Sequence, residues 1–319
     1  MKHRLAALLG AVTLALGAAQ AMAQEINFGI IATDSAAAQK DKWQPLFDDM
    51  QKQTGLKING FYAPDYNGVI EAMRFNKVQV AWYGNKAAIE AVDRSNGEVF
   101  AQVMFADGSM GYKSLLIAHK DSPVKSLEDM LKNGKQYTFG NGDPNSTSGN
   151  LVPSYYVFAQ NKIDPTAHFK AVRAGSHGAN MMAVLNRQLD VATNNTEEWD
   201  RLKARQPEKI NDLRVIWTSP LIPSDPLVWR KDLSPEVKNK IKTFLTTYGK
   251  DDREKAVLKN IYNYGGFKAS SDLQLIPIRQ LELFRDRTKV EANANLNATE
   301  KTAKLAEIDA ELASLKKQQ

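Results

Sequence analysis

Strand-like apolar runs and amphipathic helical runs alternate along this chain almost without a break, and that alternation is what most limits the folds open to it. It predicts mostly parallel sheets built from βα units and covered by helices on both faces. Strand-like runs fall at 26–32, 56–63, 78–84 and 99–105. Between them Trp43, Leu46, Phe47 and Met50 recur at helical spacing ahead of Gly55, and further helices are expected near 68–76 and 86–95.

A strand at 112–119 and a short helix at 126–133 open a second series, with strands at 137–140, 169–174, 189–193 and 213–218. A Pro-rich stretch at 219–226 then leads to an apolar strand at 227–229 and a helix capped by Ser234, started by Pro235 and closed by Gly249. We read this as the chain returning to complete the first unit. At 319 residues the chain exceeds a single domain of roughly 100–200 residues, so two cores are expected. The boundaries follow: a leader at 1–23, a first lobe at 24–117 and 227–287, a second lobe at 118–226, and a helical tail at 288–319.

The leader has the form of a secretory signal. Lys2 and Arg4 precede a short apolar run, and Ala21-Met22-Ala23 supplies the small-residue cleavage site. No cysteine follows to carry a lipid anchor, a disulfide or a thiolate metal site, so a free, soluble periplasmic product is expected. Two of the 42 Lys and Arg residues lie in the leader, and the remaining 40 exceed the 36 acidic residues by four. That excess suits a small anion and is too weak to argue for nucleic acid.

Ligands of open α/β sheets bind beyond the carboxyl ends of the strands, so the residues after each strand are the candidates. Ser146, Thr147 and Ser148 sit at a strand-to-helix turn between Gly142 and Gly149, where free backbone N–H groups and the helix dipole favour an anion. The turn lacks the lysine of a P-loop, an ordinary N-cap uses the same letters, and Pro153 removes a donor just inside the helix. The loops that follow offer His177, Glu197 and Asp225, and the first unit offers Tyr66 and Tyr112. Each has an ordinary use as cap, turn or packing residue. Together they place anion donors, a titratable cation and two carboxylates on one rim, a combination that fits a zwitterion. An adjacent dianion is expected to raise the pKa of His177.

A hydrolase is the rival, through Ser146 or Ser148 with His177 and Asp225, but no Gly-x-Ser-x-Gly elbow is present. His119, His168 and His177 show no metal-ligand spacing, so neither metal nor cofactor is expected. Beyond Arg287, Leu305, Ile308, Leu312 and Leu315 form a narrow apolar stripe. It suits a helix packed on another helix, from this chain or a second copy, and a solvated tail reads equally well.

Six runs carry a family resemblance: Ala63-Pro-Asp-Tyr66, Met73-Arg-Phe-Asn-Lys77, Ala81-Trp-Tyr-Gly84, Thr138-Phe-Gly-Asn-Gly-Asp-Pro-Asn-Ser-Thr-Ser-Gly149, Asp190-Val-Ala-Thr-Asn-Asn-Thr-Glu197 and Ser271-Asp-Leu-Gln-Leu-Ile-Pro-Ile-Arg279. The chain resembles the periplasmic phosphonate-binding proteins of phosphonate ABC transporters over about residues 26–287. The resemblance implies a two-lobed, hinged type II periplasmic binding protein without enzymatic activity. It implies a ligand in the interlobe cleft, alkylphosphonates with 2-aminoethylphosphonate favoured, delivered to an inner-membrane permease. Phosphite or phosphate esters are the alternative ligands. By the same resemblance Ser146, Thr147, Ser148 and His177 meet the phosphonate, Glu197 and Asp225 meet the amine, Tyr66 and Tyr112 line the cleft, and the C-terminal helices support a homodimer. The chain departs from the family at Gly178, where a member can carry Glu, and after Arg287.

Overall fold

A computed structural model describes residues 24–318 and resolves the alternation into two main sheets joined by a small ribbon. The leader at 1–23, with its expected cleavage site, lies outside the described residues. The first sheet runs Tyr264–Ala269, Gly97–Phe105, Pro226–Arg230, Val80–Trp82, Glu25–Ile30, Lys57–Tyr62, and the second Leu213–Thr218, Ser114–His119, Val191–Asn195, Thr138–Gly142, Ala171–Gly175. Both are mixed rather than mostly parallel. Ser114–His119 enters the second sheet antiparallel to both neighbours, and Pro226–Arg230 does the same in the first. The reason is topological: a strand that crosses between lobes arrives running against the βα series already there. Both strands are buried throughout, as their unbroken apolar runs require of central strands.

The crossovers themselves pair. Gly111–Tyr112 lies antiparallel to Ile222–Pro223 as a two-stranded ribbon between the lobes. The expected boundary after residue 117 cuts a strand that belongs wholly to the second sheet; the chain passes between lobes just before Ser114. Asp225, expected at the edge of the second unit, belongs with the first sheet, where its carbonyl accepts the Val103 N–H at 3.0 Å.

One core fills the first lobe, with Phe28, Trp43, Phe47 and Trp82 fully buried and their rings in mutual contact. Its helix Ala36–Thr54 begins where Ser35 accepts the Ala38 N–H and ends at Gly55 in the left-handed conformation. The second lobe packs both faces of its sheet, around Phe139, Phe158 and Phe169 on one side and Ile117, Met181 and Val184 on the other.

The helix Asp252–Tyr262 and the edge strand Tyr264–Ala269 carried no sequence expectation, nor did the short helices Pro165–His168 and Pro207–Ile210. The expected boundary after residue 287 falls inside the helix Ile276–Ala292, and the tail beyond it forms the helix Ala298–Lys316, opened by a capping box of Asn297 and Glu300. Of the expected stripe, Leu312 and Leu315 are buried within the chain, and Arg287 pairs with Asp309 between the two helices. That face is therefore used internally. Among the described residues no helix is long and apolar enough to cross a membrane.

Candidate functional site

Thr138–Gly142 delivers the chain into a turn that enters a helix at Ser146, whose hydroxyl caps it by accepting the Gly149 N–H at 3.0 Å. The first turn is π-helical over Thr147–Leu151, and the Leu151 and Val152 N–H groups reach back five residues to the Ser146 and Thr147 carbonyls. A second π stretch follows at Ser154–Ala159. Pro153 accounts for the register: it cannot donate to the carbonyl four residues back, and a wider turn passes over the missing donor. Gly142 makes the turn possible, since a Cβ there would fall 2.4 Å from the Gly149 carbonyl carbon.

The three hydroxyls are nearly inaccessible yet not spent on one another. Ser148 Oγ accepts from Asn195 Nδ2 at 3.3 Å, and the Thr147 hydroxyl accepts the Lys86 N–H at 2.9 Å, from the first-lobe helix Asn85–Arg94. In those two contacts the hydroxyls accept, which leaves their own protons to give. His177 stands at the first position of the helix His177–Leu185, capped by Ser176 rather than by His177 itself. Its Nε2 lies 3.4 Å from Ser146 Oγ and 3.3 Å from Ser148 Oγ. Burial lowers its pKa to about 4, so against the protein alone the ring is neutral at pH 7, the reverse of the shift expected from a dianion. This cradle offers neutral donors.

Two acids lie close by, one from each lobe. Glu197 lies in the first turn of the helix Thr196–Arg205, capped by Asn195, and Asp225 immediately precedes the strand Pro226–Arg230. Burial pushes Asp225 up to about 7, and burial followed by the neighbouring Asp225 and Glu198 holds Glu197 well above the usual carboxylate range. Two carboxyls this close cannot both ionise cheaply without a cation between them. Asp225 Oδ1 is buried without a hydrogen-bond partner. The Tyr112 hydroxyl faces Asp225, and Tyr264 stands beside Glu197. Tyr66, at the head of the helix Tyr66–Arg74, spans the two ends. Its hydroxyl is directed to Ser146, and it also feels Asp225 and Glu197. Burial raises the phenols of Tyr66, Tyr112 and Tyr264, which keeps them protonated donors.

All eight residues singled out from the sequence thus fall in one buried cluster between the lobes. Missed were Tyr264, from an edge strand without a sequence signal, and Asn195, legible only as a helix cap. The formal Ser/His/Asp set does not assemble, because Asp225 faces Tyr112 and Glu197 from the other lobe and no acid orients the His177 ring among the described residues. Nor do the described residues hold a cluster of three or more metal-ligating side chains.

Two α/β lobes, a paired crossover and a polar cluster sealed between them define a type II periplasmic binding protein. The family of ABC transporter phosphonate periplasmic substrate-binding proteins matches residues 28–275, and the chain belongs to that family. It is 56% identical over 302 residues to the phosphonates-binding periplasmic protein of Escherichia coli (strain K12), covering 94% of this chain and 89% of that one. The structure of a binding protein component of an ABC phosphonate transporter from Pseudomonas aeruginosa is 58% identical, with a TM-score of 0.90 over 92% of this chain and 97% of that one. PhnD1 from Prochlorococcus marinus (MIT 9301), solved with methylphosphonate, shares the fold at a TM-score of 0.71 and 21% identity, covering 81% of this chain and 97% of that one. The chain is a substrate-binding component, not an enzyme.

Proposed function

We propose that this protein, freed of its leader after Ala23, binds alkylphosphonates in the periplasm, with 2-aminoethylphosphonate favoured, and hands them to an inner-membrane permease. Ser146, Thr147, Ser148 and His177 grip the phosphonate oxygens. Glu197 and Asp225 receive the ammonium, and Tyr66 and Tyr112 enclose the carbon chain. The observation that carries the reading is the buried carboxyl pair facing a cradle of neutral donors, with Asp225 Oδ1 unpartnered. A buried acceptor without a donor is unfavourable, and an ammonium group supplies both the donor and the countercharge. The E. coli and P. aeruginosa relatives support phosphonates as the class.

Calorimetry against 2-aminoethylphosphonate, methylphosphonate, phosphite and phosphate tests it. The amine is expected to bind tightest, and Glu197→Gln to cost about a hundredfold more affinity for it than for methylphosphonate, as expected for a charged hydrogen bond. Equal losses would sink the amine assignment. Phosphite binding above both phosphonates would replace the ligand.

A further inference from the structure

Asp34, in the loop after Glu25–Ile30, is met by cations from both lobes. Lys42 Nζ, on the first-lobe helix Ala36–Thr54, lies 3.2 Å from Asp34 Oδ2, and Arg201 Nη2, on the second-lobe helix Thr196–Arg205, lies 3.3 Å from the same oxygen. Arg201 is also held by Glu198 on its own helix, with Nε donating to Oε2 at 2.9 Å. The row Lys42, Asp34, Arg201, Glu198 alternates in sign, and the gap between the lobes divides it into two pairs that are each neutral. Beside it the Gly178 N–H donates across the gap to the Thr33 carbonyl at 3.1 Å, and Arg205 donates to Asn260 Oδ1 at 2.7 Å.

A buried ion stripped of its partner is strongly unfavourable, and Lys42 and Glu198 are both almost wholly buried. The lobes can nevertheless part without leaving one, because Lys42 keeps Asp34 and Arg201 keeps Glu198. Within the row, opening gives up only the contact between Asp34 and Arg201, which suits a reversible catch. Gly178 belongs to the same device. A Cβ there would fall 2.7 Å from Asp34 Oδ1 and 3.1 Å from its Cγ, and Asp34 cannot step aside without leaving one of its two cations. The helix that carries Arg201 also carries Glu197 in its first turn, so the site and the row share one rigid element.

We infer that Asp34 and Arg201 form a closure catch, with Gly178 providing its clearance. They are positioning residues: by enlarging the closed fraction they raise affinity for whatever lies between the lobes, without touching it. The inference rests on the interlobe site but not on the chemistry of its ligand.

Dissociation constants of methylphosphonate and 2-aminoethylphosphonate test it in Asp34→Asn, Arg201→Gln, their double variant and Gly178→Ala, with thermal melts establishing that each variant is folded. Each single change is expected to weaken both probes alike, by about tenfold, and the double variant no more than either single one. Unchanged affinity, losses that multiply in the double variant, or losses that differ between the probes would overturn it. A second readout needs no ligand. The chain has no cysteine, so spin labels on cysteines placed at the exposed positions Phe75 and Met182, one per lobe, report the distance between lobes. Asp34→Asn is expected to shift that distribution to longer distances, and an identical distribution refutes the catch. Should the unsubstituted protein bind neither probe, the proposed function fails and the distance measurement alone decides.

Discussion

Asp225 shows what a buried carboxyl costs the unliganded fold. Burial moves its pKa from 3.8 to about 7. A carboxyl raised on folding holds its proton below the unfolded value and loses it as pH climbs through the folded one, so the cost of ionising it is absent near pH 3.8 and complete above about 7. Asp225→Asn is therefore expected to stabilise the unliganded protein by on the order of 2 kcal/mol at pH 8 and by little at pH 4.5, read as a pH-dependent difference in Tm. A difference that shrinks as pH rises would contradict the assignment. His177 shifts the other way, to about 4, so its stabilising contribution is full above pH 6.5 and fades as pH falls towards 4. Comparing single variants separates the two. These shifts were not legible in the sequence, which offers the residue types but not their burial; a histidine beside hydroxyls reads as a cation until its surroundings remove the water that would support the charge.

At the scale of elements, the turn at Thr147–Leu151 is the part of the site that local sequence dictates most directly. Pro153→Ala restores the missing donor and permits an ordinary α turn. We expect methylphosphonate affinity to fall about tenfold with Tm unchanged or raised, because the hydroxyls are re-aimed while helix propensity improves. Unchanged affinity in calorimetry would mean that the π register does not set the cradle. Most strands and helices were readable because apolar spacing reports the face that a residue buries. Strand direction was not, since Ser114–His119 and Pro226–Arg230 look the same in sequence whichever way they run in the sheet. Tyr264 escaped for a related reason: its strand, Tyr264–Ala269, is short, glycine-interrupted and half polar, and only pairing with Gly97–Phe105 fixes it. The stripe through Leu312 and Leu315 fitted a partner helix equally well from this chain or another, and the neighbouring Ile276–Ala292 takes it up.

For the whole molecule, three backbone amides donate across the gap: Lys86 to Thr147, Tyr66 to Asp143 Oδ2 at 3.2 Å, and Gly178 to Thr33. Saturating phosphonate is expected to slow hydrogen exchange at all three together, by tenfold or more on the order of a coupling of 1–3 kcal/mol, while amides in the centre of either sheet change little. Slowing at only one lobe's amides would mean that ligand is gripped without closure. The ribbon that joins the lobes has its own bearing on this motion, because one of its two strands ends in Tyr112, whose ring lies among the cluster residues. The axle of the molecule thus has a finger inside the chamber. A guest that displaces that ring therefore bears also on the ribbon through which the chain passes between the halves.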